Sequence, residues 1–304
     1  MVVLRPIAST MDGDLLDRPA SGALLSSPAQ PVPPAVLQAI SSMHARYYDP
    51  ITLTGLAAEV FVSPFHFSRI FSRATGVTPG RFLTAVRLFE AKRLLLTTSL
   101  TVSDIVCSVG YSSVGTFTSR FARAVGMTPT QYRDPEVGEV LVAIAPHFQR
   151  LPSLPALRGA GHSCASLRAG TGTITARVEM PRGSAPADVL VGVFADAIPQ
   201  SGPVAFGGMA NARSGELTIH GVPDGEWTVM AVAAHSPGTS AASFSIGTLG
   251  SRVAVRPHER VRVGLGMRAP LATDPPIAIT LAAKPAPLVS RMTSPQRPYL
   301  RAVA

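Results

Sequence analysis

The sequence predicts a multidomain chain, with an all-α double helix-turn-helix domain over residues 35–135 followed by an all-β sandwich domain over residues 171–283. Three observations predict it. A seventeen-residue stretch repeats at an offset of 50, helical periodicity runs from Ala35 and stops near Tyr132, and short alternating runs set off by Gly, Pro, Asp and Ser turns take over from about residue 171.

The repeat sets Ser63 to Pro79 above Ser113 to Pro129, and eight of the seventeen pairs are identical: Ser, Phe, Phe, Arg, Ala, Gly, Thr and Pro. Each identity has a mechanical meaning. Ser63 and Ser113 (or Ser112) can accept hydrogen bonds from the free N–H groups of a helix start, and Pro64 suits the first helical position. Gly76 and Gly126 supply the left-handed residue that ends a helix, after which Thr78-Pro79 and Thr128-Pro129 begin another.

In the first copy Phe67, Ile70, Phe71 and Ala74 fall at i, i+3, i+4 and i+7 and form the core stripe, leaving Phe65, His66, Ser68, Arg69, Ser72 and Arg73 on the other face. A short helix over 53–60 precedes it, with Phe61-Val62 as the turn. A second short helix at about 102–109 precedes the second copy, with Gly110-Tyr111 as its turn. Helix, tight turn and capped second helix is an arrangement whose second helix enters the DNA major groove. Residues 80–97 read as one long connecting helix with Phe82, Ala85, Val86, Phe89 and Leu94 inward. Its eighteen residues span roughly 27 Å, close to the ~34 Å of one DNA turn, so both second helices can face successive major grooves.

Outside these domains, residues 1–34 are polar and proline-rich and are expected to be a disordered tail. Residues 136–170 read as a linker holding one strand at 138–145, and residues 284–304 as a basic disordered tail. The net charge of +9 attracts polyanions without choosing a domain: residues 35–135 hold ten basic and five acidic residues, and residues 136–304 fifteen and ten. Two cysteines, Cys107 and Cys164, make no disulfide framework or metal cluster, and Cys107 is expected to pack in the core. The N-terminus lacks the apolar region of a signal peptide, and no apolar run is long enough to span a membrane, so a cytoplasmic location and no membrane partner are expected. No cofactor or metal is expected, because the histidines form no pair at zinc-ligand spacing.

Residues 35–135 resemble the AraC/XylS family DNA-binding domain. The resemblance is carried by Ala57, Ser63, Phe67, Phe71, Gly76, Thr78-Pro79, Arg87, Ala91, Leu94-Leu95, Ile105, Gly110-Tyr111, Phe117, Phe121, Gly126, Thr128-Pro129 and Tyr132-Arg133. It implies a bacterial transcription regulator, double-stranded DNA as partner with RNA polymerase as a further one, and an asymmetric site read by both units. On it, Phe65, Ser68 and Arg69 take the places where the first recognition helix meets bases, and Val114, Gly115, Thr118 and Ser119 those of the second. Arg69 can pair bidentately with guanine O6 and N7. Phe65 can touch a thymine methyl. Ser63, His66, Arg73, Ser112, Arg120 and Arg123 complete the expected DNA-binding set, mainly toward phosphate. Gly115 weakens the second helix, whose front is short and nearly uncharged.

In the β region the regular spacing of short alternating runs and turns predicts an antiparallel sandwich, and Gly215 to Val229 resembles the transthyretin-like or carboxypeptidase regulatory-like fold, which implies a non-catalytic accessory module for oligomerisation or for sensing a small-molecule or protein effector. Trp227 and Phe194 are expected in its core, and Arg252, Arg256, Arg260, Arg262 and Arg268 on a solvated face. Gly161-His162-Ser163-Cys164-Ala165 falls one residue short of a nucleophile elbow and lacks the strand and helix around it, so no catalytic residue is expected.

Overall fold

The computed structural model describes residues 31–156, 170–235 and 244–282. Residues 1–30 of the expected N-terminal tail, the segment Gly161 to Ala165 with Cys164, and the expected C-terminal tail lie outside the described residues.

Eight helices build the N-terminal region: α1 Pro34–Ala45, α2 Leu53–Glu59, α3 Pro64–Thr75, α4 Pro79–Thr97, α5 Val102–Ser108, α6 Val114–Val125, α7 Pro129–Tyr132 and α8 Pro135–Glu139. Their starts are set by side chains. The hydroxyls of Thr52, Ser63, Thr78, Thr101, Ser113 and Thr128 each accept from the backbone N–H three residues on. Each such cap is worth about 1 kcal/mol. Gly76 and Gly126 end α3 and α6 at φ 75° and 82°, the left-handed region that glycine enters without strain.

Each helix-turn-helix unit has its own core. Phe67, Phe71 and Phe82 stack with Val36, Met43 and Leu56 in the first, and Phe117, Phe121 and Tyr132 with Leu95, Ile105 and Val109 in the second. The connecting helix α4 serves both, burying Phe82 and Val86 in one and Leu88 and Leu95 in the other. Leu94, expected inward, is half-buried. Cys107 is exposed rather than packed: Ile105, Val106 and Val109 fill the inward positions of α5, and Cys107 turns to solvent.

The remaining described residues carry eleven strands: β1 Leu141–Ala145, β2 Phe148–Arg150, β3 Gly172–Glu179, β4 Ala187–Phe194, β5 Ala205–Ala212, β6 Ser214–Val222, β7 Gly225–His235, β8 Phe244–Thr248, β9 Val253–Val255, β10 Arg260–Gly266 and β11 Ile277–Thr280. They form three sheets, in the orders β11-β1-β2, β10-β3-β6 and β5-β4-β7-β8, with β9 on β7. The inner face of β10-β3-β6, with Ile174, Ala176, Val178, Val261 and Val263, packs on Val189, Val191, Val229 and Ala231 of β4 and β7. Trp227 joins that core, and its indole N–H donates to Pro223 O at 2.8 Å.

Two features differ from the sequence expectation. Not all strands are antiparallel, since β10 pairs with β3 in parallel over seven residues. Residues 141–145 are also not a strand in a linker: all five are buried, and β1 pairs antiparallel with β11 at the far end of the described chain. Leu190, Met230 and Val232 explain this, because they give β4 and β7 a second apolar face, and Val142, Ile144, Ile277 and Ile279 cover it. Strands apolar on both faces belong in the middle of a stack. Phe194 also packs there.

The opposite face of that small sheet rests on the helical region. Phe89 of α4 packs on Leu141, Ala143, Ala145 and Ala278. Lys92 is 1 % exposed, and its Nζ donates to Gln200 O at 2.8 Å, Gln200 Oε1 at 3.0 Å and Ala278 O at 2.5 Å. Burial pulls its pKa down to about 7. Ile198, from the loop after β4, is 6 % exposed within the first helix-turn-helix core. The two regions are therefore joined by shared apolar packing and by a satisfied buried ammonium.

Candidate nucleic-acid interface

The surface in question is made by the outer faces of α3 and α6. Burying Phe67 and Phe71 turns Phe65, His66, Arg69 and Arg73 outward, and burying Phe117 and Phe121 does the same for Val114, Gly115, Ser119, Arg120 and Arg123. Phe65 is 79 % exposed and Val114 41 %. Ser68 and Thr118 are half-buried at the flank of each face. Neither α3 nor α6 contains an acidic residue. Among the described residues, Arg69, Arg73, Arg120 and Arg123 have no ion pair or hydrogen bond, so four guanidiniums are held at the surface uncompensated. Such groups attract phosphate oxygens and suit them geometrically.

Ser63 and Ser113 are the caps, donated to by the N–H groups of His66 and Thr116 at 3.3 Å each. Ser112, expected in the set, is exposed but caps nothing. Ser113 takes that role because the turn between α5 and α6 is one residue longer than that between α2 and α3.

That extra residue hides an equivalence the constant offset of 50 cannot show. In the first turn the N–H groups of Phe61 and Val62 donate to Ala58 O and Ala57 O, and in the second those of Gly110 and Tyr111 donate to Cys107 O and Val106 O. Phe61 is thus the counterpart of Gly110. Phe61 holds φ 55° and is 96 % exposed, whereas Gly110 holds φ 76°. A bulky residue in the left-handed region is strained, and one that projects into water has no packing to compensate. Sequence reasoning missed Phe61 as a surface residue of interest; alignment of the two turns at an offset of 49 would have exposed it.

The two units are locked at a fixed relative position. From α4, Arg87 Nε donates to Tyr47 O and Nη2 to Asp49 O, both at 2.7 Å, and the guanidinium lies 5.8 Å from the Tyr111 ring. Burial pulls its pKa down. A Cβ on Gly110 would lie 2.7 Å from Tyr48 O and 3.0 Å from Tyr47 O, so the loop after α1 bears directly on the second turn.

Among the described residues, no group of three or more His, Cys, Asp or Glu could hold a metal, and no helix is long and apolar enough to cross a membrane. The arginines of the β region, Arg252, Arg256, Arg260, Arg262 and Arg268, are all exposed: Arg260 and Arg262 alternate with buried valines along β10, Arg252 donates to Ala195 O and Glu226 O, and Arg268 forms a two-pronged pair with Asp274.

This geometry defines a helix-turn-helix DNA-binding domain, and residues 56–135 match the family model described as a helix-turn-helix domain. Curated proteins to which the chain is similar are bacterial HTH-type transcriptional regulators. One, the uncharacterized regulator YobQ of Bacillus subtilis, is 30% identical over 95 residues, covering 31% of this chain and 39% of that protein. An HTH-type transcriptional regulator of Mycobacterium tuberculosis is 40% identical over 78 residues, covering 26% of this chain and 30% of that protein. A solved transcriptional regulator from Chromobacterium violaceum, described as containing an AraC-type DNA-binding domain, is 30% identical, covers 33% of this chain and 89% of that one, and superposes with a TM-score of 0.32. The chain spans less than half the length of the two curated relatives, and the family model falls on the helical region.

Proposed function

We propose that the chain is a sequence-specific DNA-binding transcription regulator that inserts α3 and α6 into successive major grooves of one duplex. The observation that carries this reading is the pair of equivalent, capped, acid-free helices on one rigid helical scaffold, each presenting unpaired arginines. Arg69, with Phe65 beside it, reads base edges. Ser63, His66, Ser68, Arg73, Ser112, Val114, Gly115, Thr118, Ser119, Arg120 and Arg123 position the protein on the backbone or flank the reading face. No catalytic step is assigned, and the cell compartment follows as the cytoplasm, where DNA and RNA polymerase are met.

The β region is an accessory module of transthyretin-like or carboxypeptidase regulatory-like type that receives a signal or a partner. It is not a separable one. Truncating the chain before it would strip Ile198 from the first helix-turn-helix core and leave Lys92 without Gln200 and Ala278.

Binding of a selected duplex, followed by fluorescence anisotropy across a salt series, tests the division of labour. Arg73→Ala and Arg123→Ala are expected to weaken all duplexes alike and to lower the salt slope by about 1 each. Arg69→Ala is expected to cost about 1–3 kcal/mol on the preferred site and little on others. If all three variants behave alike, the arginines serve only as a positive surface and the reading fails.

A further inference from the structure

A cleft of about 270 Å³ opens where the helical and β regions meet. One side is formed by the end of α3 and the residues just after it, Thr75, Gly76 and Val77. Ile198, from the loop after β4, and Met230 and Ile246 of β7 and β8 line it as well. The volume lies just below the ~300 Å³ at which small-molecule sites become common, and junctions between structural units are where such sites concentrate.

Its charge is balanced from within. Among the lining residues only Arg268 and Asp274 are ionised, and they neutralise each other. Arg268 Nη1 donates to Asp274 Oδ2 at 2.8 Å and Nη2 to Oδ1 at 2.6 Å, while the Leu271 N–H donates to the same carboxylate at 2.7 Å. Thr75 Oγ1 is engaged as well, its one proton placed between Phe71 O and Val77 O while the oxygen accepts from the Val77 N–H. An ion entering this space would lose its water without gaining a counter-charge, whereas an apolar body would gain contact with the lining.

We propose that this cleft is a binding site for a small, uncharged, largely apolar molecule, of the size of one substituted aromatic ring. Because its lining residues belong to different regions, an occupant touches the end of α3 and the β sheet at once and favours whichever spacing fits it best. The consequence for DNA rests on the reading of α3 as a recognition helix; the binding itself does not.

Three probes with one body and different heads test the site on the full chain: 2-phenylethanol, phenylacetate and 2-phenylethylammonium, titrated by calorimetry without DNA. The expected result is binding of the alcohol about tenfold or more tighter than either ion. A Cβ at Gly250 would meet nothing within 4 Å, so Gly250→Trp places a ring at the rim of the cleft without a backbone clash, and Thr248→Trp places one at the neighbouring exposed lining position. Both are expected to fold, by circular dichroism, and to abolish binding of the alcohol. In the unsubstituted protein, amide shifts on adding the alcohol should concentrate at Thr75–Val77 and Ile246–Gly250. Equal binding of the three probes, no binding of any, shifts centred elsewhere, or binding that survives in a folded tryptophan variant would each overturn the proposal. Failure of the protein to bind DNA would count against the proposed function and leave these results standing.

Discussion

The two helix-turn-helix units share a scaffold and differ at the surface. Each has a recognition helix of twelve residues, a serine cap, two buried phenylalanines and a terminal glycine. Where the first presents Phe65, His66 and Arg69, the second presents Gly115, Thr116 and Ser119; where the first half-buries Ile70, the second exposes Arg120. The turns diverge too, with strained Phe61 in one and Gly110 in the other. What is common serves packing and helix ends, and what differs is what DNA would meet. On the proposed function, that difference gives reading to the first unit and anchoring to the second.

The comparison can be broken most severely at its shared part. Phe67→Ala and Phe117→Ala remove fully buried rings from equivalent places, and each is expected to lower stability by about 3–5 kcal/mol in chemical denaturation. A loss in one unit of under half that in the other would show that the two cores are not equivalent.

The turns should respond in opposite senses. Gly110→Ala places a Cβ 2.7 Å from Tyr48 O at a positive φ and is expected to cost about 2 kcal/mol or more. Phe61→Gly relieves left-handed strain at an exposed site and is expected to raise stability by about 0.5 kcal/mol, the relief being partly offset by the freer unfolded chain. If Phe61→Gly destabilises the protein, the ring is supported in a way its exposure does not show.

A pH effect distinguishes the side of α4 that faces the β sheets from the side that faces α3 and α6. Lys92 titrates near 7 in the folded chain against an ordinary 10.5, so between those values the unfolded chain binds more protons. Stability should therefore rise with pH from about 7, and Lys92→Met should flatten that rise. The window closes near 10.0, because burial pushes the Tyr132 phenol up and its contribution falls as pH climbs further. Identical pH profiles for the two proteins would contradict the buried-ammonium account.

Most of the helical region was legible because its signals are local. Caps, helix-ending glycines and apolar stripes lie within a few residues of what they determine, and Ser63, Gly76, Phe67 and Phe71 behave as their spacing implies. The β region was legible only as alternation. Nothing local in Leu141–Ala145 says that it pairs with Ile277–Thr280, and nothing in Arg260–Gly266 says that its partner runs parallel, since both pairings close over long stretches of chain. Cys107 was misplaced because a seven-residue helix has too few turns to fix its inward face by period alone. Lys92 and Ile198 were missed for a related reason: their burial comes from a neighbour more than a hundred residues away. The α3 and α6 faces follow from local pattern, while the cleft at their junction with the β region exists only in three dimensions.

Selection of binding sites from random duplex DNA, at one fixed salt concentration, tests the central claim most directly when the unsubstituted chain is compared with Arg69→Ala and Ser119→Ala. The account predicts an asymmetric site with two blocks about one turn apart. It also predicts that Arg69→Ala erases the preference at one or two positions of a single block, and that Ser119→Ala leaves the site largely unchanged. No recovered motif, or a greater loss of preference with Ser119→Ala than with Arg69→Ala, would contradict it.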